Sequence, residues 1–507
     1  MINARQKGHD FSPALSAENE WFDTVIPPGR TGVSGGANEE ERDMLQFWEV
    51  ANRAINTGPL MRVNDFDMKL FKVTSRLVKE YGIKYEPQVP IPSDDGLADR
   101  LFQAGLILYS EMGTYCFDTE RVIRFSKEEI EEALKDLRAM SNEIDIGEGM
   151  ERRTLFKRSM EDPRKPLVIG GVVEDSPREG RDFVQLYKSI AQERIIDGIY
   201  YGPPPASIEG KKWMTGSPLD CHAARSAVGW TREAIRSVGR PGLHLLDACP
   251  TALGTISACY PENGLRKTDA ITLPTISELK TNFELLNKVA YTLHYGCLRS
   301  PFWTTIVGGF AGGPEGAALV SVADALNAIM VYQVSGAGYV MVSSILQNPP
   351  VNTARQTIWI RNVSLQALAR NTNLICGGGG LTSAGPGTEQ QLWEIAALGL
   401  HTSVAGGHIV HGARKAKLVK ANQGTGMEPR WEGEAARASA GLSRANVNEL
   451  INFILSKYEN RISEDVAPPG FSFDELYDTE QVQVKAEYYD LYGKVKSELE
   501  QKGLKFD

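Results

Sequence analysis

Residues 239–250 read G-R-P-G-L-H-L-L-D-A-C-P, and the fold follows from how this stretch is parsed. Gly239, Arg240, Pro241 and Gly242 make a turn that resets the backbone, and residues 243–246 form a short apolar run of the kind that builds a buried parallel strand. Asp247, Ala248, Cys249 and Pro250 then stop the run with small and polar side chains. A strand that ends so abruptly delivers its last side chains to the carboxyl edge of a sheet. In an α/β barrel that edge is where the loops converge on one pocket; in an ordinary core strand the same residues are a tidy turn.

Working outward, comparable apolar runs lie at 167–173, 195–201, 270–273, 303–309, 339–346, 373–379 and 404–410. With 243–248 they make eight candidate strands, separated by helical patterns, which is the signature of a (β/α)8 TIM barrel. Helix starts are recognisable at Ser217 and Asp220, at Pro314, and at Thr388 with Glu389. A doubly wound sheet needs a phosphate-binding glycine turn after its first strand, and E-D-S-P-R-E-G follows Val173 instead. Upstream, residues 1–40 read as a flexible arm and 41–160 as a helical cap. Within the cap, T-Y-C-F-D-T-E-R-V-I-R-F at 114–125 predicts a β-hairpin with Asp118 and Thr119 in the turn, and Ser126 with Glu129 predicts a capping box. The barrel with its C-terminal helices takes 161–507.

Composition narrows the function classes. Apolar residues are 42% of 507, enough for a large core, and the net charge of −9 carries no basic cluster, which argues against nucleic acid and an anionic membrane surface as partners. There is no apolar stretch of spanning length and no secretory leader pattern, so a cytoplasmic protein is expected. The six cysteines lie far apart without a C-x-x-C pair and read as reduced thiols. His408 and His411 make an H-x-x-H without a third ligand, so no metal site is expected. Glycine runs at 308–313 (G-G-F-A-G-G), 377–380 (G-G-G-G) and 384–387 (A-G-P-G) fall at strand ends. They are either tight turns or places where side chains are removed to admit a bulky ligand.

These motifs carry a resemblance. The hairpin run with S-K-E-E-I, G-R-P-G at Gly239, S-E-L-K at Ser277, G-G-F-A-G-G at Gly308, A-G-P-G-T-E at Ala384 and T-G-M-E-P-R-W-E-G-E-A-A-R-A-S-A-G at Thr425 occur in the order found in the monomethylamine:corrinoid methyltransferases of methanogenic archaea, which the chain resembles from about Glu39 onward. The resemblance implies a TIM barrel, a homo-oligomer (a hexamer in that family) and methyl transfer from an amine to the cobalt of a separate small corrinoid protein. No cofactor is then bound by the chain itself; the corrinoid (cobalamin) arrives with the partner. Family members carry pyrrolysine on the strand after Gly-Arg-Pro-Gly, where the resemblance implies Leu246 here. It likewise implies Thr272 and Phe302 at two acidic positions and Gly379 at a glutamine.

Loss of the reactive residue points to a donor that needs holding more than activating, such as a quaternary amine. Phe302, Trp303, Tyr201 and Tyr339 are then candidate cage aromatics, with Trp303 equally readable as core. His244, Arg299 and Arg355 are candidate anchors for a carboxylate on the donor. Asp247 faces a cationic headgroup or caps a turn. Gly377, Gly378, Gly380, His408 and His411 are candidate contacts to the corrinoid. Two alternatives stay open: monomethylamine activated by another group such as Asp247 or Cys249, and a non-catalytic scaffold that binds the corrinoid protein.

Overall fold

The computed structural model describes residues 39–140, 143–171, 178–202, 204–205, 207–463 and 465–506, so the expected arm at 1–40 lies almost wholly outside the described residues. Eight parallel strands close into a barrel: β1 (Leu167–Gly171), β2 (Gly198–Tyr200), β3 (His244–Asp247), β4 (Ala270–Pro274), β5 (Leu298–Val307), β6 (Val340–Leu346), β7 (Cys376–Thr382) and β8 (Ile409–Lys415). Each pairs with its sequence neighbour, and β8 returns to β1 through Ile409 opposite Leu167. The sequence reading located all eight. Val404, expected to open β8, instead ends the preceding helix.

The helices around the barrel are α1 (Arg181–Ala191), α2 (Pro218–Ser237), α3 (Ala252–Ala258), α4 (Phe283–Tyr295), α5 (Pro314–Met330), α6 (Arg355–Asn371), α7 (Glu389–Val404) and α8 (Met427–Ala438). Pro at the first helical position starts α2 and α5, where its fixed φ suits the helix and its missing N–H is not needed. The Thr388 hydroxyl accepts from the Gln391 N–H at the start of α7. All six cysteines are free thiols. No helix among the described residues is long and apolar enough to cross a membrane.

Four α-helices of the cap precede the barrel, and the hairpin Thr114–Cys116 with Arg121–Ile123 forms as expected, as does the Ser126–Glu129 capping box. A third strand, Lys280–Thr281, joins that hairpin in parallel and ties the loop after β4 to the cap. A second hairpin, Glu143–Ile146 with Arg153–Phe156, was not anticipated. Its Ile146 and Leu155 join the apolar cluster inside the barrel, and Arg153 pairs with Asp197 just before β2, so it plugs the amino-terminal end. The chain therefore has two apolar cores, one between strands and helices and one inside the barrel.

Candidate active site

Strand alternation decides which side chains reach the barrel interior. On β5, Phe302, Thr304 and Ile306 are partly exposed while Trp303 and Thr305 are buried, so the inward set meets solvent at the carboxyl end and the outward set packs under the helices. Leu246, Tyr200, Met341 and Ile409 belong to the interior cluster, and Phe302 packs against it. Leu246 stands in register with Tyr200 on one side and Ala270 on the other. Thr272 and Gly379 also face inward: the Tyr200 hydroxyl interacts with Thr272, and a Cβ on Gly379 would strike the His411 ring. The four positions singled out by resemblance, Leu246, Thr272, Phe302 and Gly379, thus face one barrel interior, called the chamber below.

The chamber walls are rings and small groups. Tyr200 stacks on His411 with centroids 4.8 Å apart, and Phe302 lies 6.3 Å from the same imidazole. The His411 Nδ1 makes no hydrogen bond, and burial, reinforced by Arg361, pushes the ring's pKa down to about 3, so it is neutral at physiological pH. Burial pushes the Tyr200 phenol up to about 12. The Thr272 hydroxyl has no full hydrogen bond. No inward-facing residue of the described strands carries a carboxylate.

At the amino-terminal floor, His244 and Tyr339 meet each other: Nε2 lies 3.0 Å from the Tyr339 hydroxyl and Nδ1 lies 2.8 Å from the Thr268 carbonyl. Burial lowers His244 to about 4, so it too is neutral. Both residues face inward, yet they sit at the starts of their strands, below Leu246, and are wholly buried. They support the chamber from beneath instead of lining its mouth.

Several sequence expectations are corrected by strand parity. Asp247 follows an inward leucine and so faces out; its Oδ1 accepts from the Tyr201 hydroxyl and the Cys249 N–H at 2.8 Å, and its Oδ2 accepts from Thr255 of α3 at 2.9 Å. It fixes a loop and faces no substrate. Tyr201, its donor, is outward for the same reason, and the inward tyrosine is Tyr200. Trp303 is buried under α5 and donates to the Ser321 hydroxyl at 3.0 Å. Arg299 spends Nε and Nη2 on the Gln333 carbonyl at the floor level. Arg355 lies on the outside, paired with Glu459. None of Asp247, Tyr201, Trp303, Arg299 and Arg355 reaches the chamber.

The glycine run on β7 divides likewise. Gly377 and Gly379 face in, whereas a Cβ on Gly378 would strike the Arg361 guanidinium of α6 and one on Gly380 would strike Leu398 of α7. Gly378 and Gly380 therefore serve helix packing, not the mouth. His408 precedes β8 at the floor end and packs on Phe156 of the plug hairpin, 4.0 Å between centroids, so it is remote from an incoming corrinoid. Of that set Gly377 and His411 face in, and His411 alone adds a side chain to the interior.

Arg414 was missed. Alternation from His411 puts residue 413 inward, but a bulge intervenes at Gly412, where φ is 40° and the pairing slips from Gly378–Val410 to Gly380–Ala413. Ala413 consequently joins the outer core and Arg414, partly exposed, comes into register with Leu381. Nothing in H-G-A-R-K announces that slip. A separate groove of about 460 Å³, lined by Glu49, Arg53, Glu129, Asp136 and Met330, lies between the cap and the far end of α5, away from the strand ends.

With this geometry in hand, likeness to known proteins becomes informative. The family model for monomethylamine methyltransferase MtmB matches residues 45–504. The monomethylamine methyltransferase MtmB2 of Methanosarcina acetivorans is 30% identical over 467 residues, covering 92% of this chain and 98% of its own. MtmB of Methanosarcina mazei is 30% identical over 468 residues with the same coverage. The crystal structure of Methanosarcina barkeri MtmB matches with a TM-score of 0.85 at 29% identity, over 90% of this chain and 98% of that one. A match that spans both the cap and the closed barrel leaves one conclusion: the chain belongs to the monomethylamine methyltransferase MtmB family.

Proposed function

We propose that this protein moves a methyl group from a small quaternary amine to the Co(I) of a corrinoid carried by a separate protein. Family membership supports methyl transfer from a methylated amine. The observation that carries the quaternary reading is the wall chemistry: Tyr200 and Phe302 pack in one cluster with Leu246 and flank the His411 ring, and the described strands turn no carboxylate inward.

A protonated primary amine brings three N–H donors, and each one buried without an acceptor costs about 1–3 kcal/mol. Thr272 and Tyr200 hydroxyls are poor matches for three charged donors. A quaternary nitrogen has no N–H to satisfy, and each aromatic face it meets contributes about 0.5–2 kcal/mol. The neutrality of His411 matters here, because an imidazolium in the wall would repel the donor. In the reaction the carbon–nitrogen bond breaks with its electron pair left on nitrogen, which departs as a neutral tertiary amine. The new carbon–cobalt bond takes its pair from the Co(I) acceptor, so no proton moves. The chain's own contribution is to hold one methyl group toward the open end, gaining rate from orientation. Gly308–Gly313 at the rim, with exposed Phe310, offers a face for the acceptor protein.

The test is side-by-side methyl transfer to a reduced corrinoid protein from tetramethylammonium-type donors and from monomethylamine. Turnover of quaternary donors alone is expected. Turnover of monomethylamine alone would overturn the quaternary reading and keep the family's substrate; turnover of neither would leave a binding scaffold.

A further inference from the structure

We infer that the donor is a quaternary amino alcohol whose hydroxyl is held by Thr272 and Ser300, beneath the ring-lined level of the chamber; this rests on the quaternary-amine reading. Ala270 belongs to the interior cluster, and Leu298 and Phe302 pack against it, so strand alternation turns Thr272 of β4 and Ser300 of β5 inward. The two residues stand in register on neighbouring strands, which sets their backbones about 4.8 Å apart. Thr272 is 4% exposed and Ser300 is fully buried, and neither hydroxyl oxygen has a hydrogen-bond partner. The phenols of Tyr200 and Tyr339 act on these hydroxyls without completing a hydrogen bond, and Tyr339 already meets His244. Elsewhere buried hydroxyls settle on a carbonyl of their own helix, as Thr231 does on Ala227 and Ser189 on Leu186. On paired strands the nearby carbonyls are engaged in the ladder, so this pair has no such recourse. A buried hydroxyl without a partner is destabilising, and a ligand group that bonds both removes the penalty.

The surroundings select a neutral group. Neither inward row carries a charged side chain, and burial keeps His244 below them neutral. A carboxylate lodged here would be a buried charge facing neutral hydroxyls, which is unfavourable. An alcohol gives one hydrogen bond and takes another, and two hydroxyls that can each do either suit it. Phe302 stands two residues beyond Ser300, about 7 Å nearer the mouth, so a short chain joins an ammonium among the rings to a hydroxyl on the pair beneath. Fixing that one substituent underneath turns the methyl groups toward the open end, where the acceptor arrives. After transfer the electron pair of the broken carbon–nitrogen bond stays on nitrogen, and the product is a neutral tertiary amino alcohol with its hydroxyl unchanged.

Calorimetric titration of the full chain tests this without any corrinoid protein. The probes are hydroxyethyltrimethylammonium and its hydroxypropyl homologue, the propyl and butyl isosteres in which a methyl replaces the hydroxyl, trimethylglycine, and methylammonium. The wild type should prefer at least one alcohol over its isostere by about 2- to 12-fold for each hydrogen bond gained. T272V and S300A should each lower that ratio, the double variant should bring it to about 1, and T272S should keep it. An alcohol that binds no better than its isostere, a ratio that survives in the double variant, or a tighter fit for trimethylglycine than for either alcohol overturns the inference and leaves the quaternary reading standing. Binding of methylammonium with no quaternary probe bound, or of no probe at all, overturns both. Circular dichroism and the thermal midpoint establish folding, and the single variants carry the test if the double variant does not fold.

Discussion

Asp247 is the residue on which the sequence and the structure disagree most consequentially, and replacing it separates a catalytic carboxylate from a structural one. Its two oxygens accept from Tyr201, Cys249 and Thr255, all buried behind β3. Truncation in D247A orphans all three donors. A buried unsatisfied donor costs about 1–3 kcal/mol, and water entering the space left by the carboxylate recovers part of it, so a loss of about 3–5 kcal/mol is expected. D247N keeps an acceptor for Tyr201 and Cys249, and Thr255 can turn its hydroxyl to accept, so the loss should be only about 1–2 kcal/mol. Adding Y201F to D247A removes one orphan, and the double variant should be less destabilised than the two single losses summed. Urea unfolding at fixed protein concentration measures these differences, with kcat and KM for the donor measured on the same samples. Folded D247N should keep kcat within about tenfold and KM unchanged, because the carboxylate faces away from the chamber. A D247N protein as stable as the wild type, with kcat down more than about a hundredfold, is the loss expected of a proton-transfer group and would refute the parity argument.

Other consequences can be checked singly. The buried histidines His244, His408 and His411 have pKa values lowered to about 4, 3 and 3 by burial, so the unfolded chain binds protons that the fold refuses; stability is full above about pH 6.5 and falls as pH drops toward 4. The urea midpoint should follow that slope, and H411N should flatten it; an unchanged slope in H411N contradicts the shift. Glu432 behaves oppositely: burial raises its carboxyl to about 8 despite Arg361, so stability present below about 4.5 is lost as pH rises through 8. E432Q should therefore stabilise by about 1–3 kcal/mol at pH 8 and by little at pH 5, and an equal effect at both ends is the contrary result. Finally, F302A should weaken tetramethylammonium binding about 2- to 30-fold, the equivalent of one aromatic face; undiminished affinity would remove Phe302 from the site.

The architecture was legible because it rests on the alternation of apolar runs with capped helices, a pattern that each element signals locally. Which residues enter the chamber was not, because that depends on the parity of each strand. The Tyr200–Tyr201 and Phe302–Trp303 pairs show how narrow the margin is: within each pair one ring faces the chamber and the other the helices, and a one-residue shift exchanges them. Leu246 and Phe302, singled out by the family resemblance, both fall on inward rows, which run without a bulge from His244 and Leu298. Arg414 lay beyond reach because the slip at Gly412 depends on how β8 meets β7 and β1, which neither strand announces alone. The plug hairpin was hidden for a related reason, since its apolar residues are matched to a barrel floor built from strands far along the chain.

The division by face also separates the side chains that hold the frame from those that do not. Outside the barrel, the carboxylates at strand and helix ends are committed to the fold. Asp269 accepts from the Leu245 and Arg266 N–H groups and pairs with Arg232, while Glu394 of α7 accepts from Thr353, Ser383 and Ala384 and fixes the loop after β7. Changing any of them alters the loops on which the mouth is built. Inside, the Thr272 hydroxyl and the His411 Nδ1 have no full hydrogen bond, so no hydrogen bond of the frame depends on them. Substitutions on the inward rows can exchange polar groups for rings at little cost in stability, because those side chains answer to a ligand and the outward ones answer to the helices. The inward rows can therefore vary while the cap, the strand order and the outer carboxylate ties stay as they are.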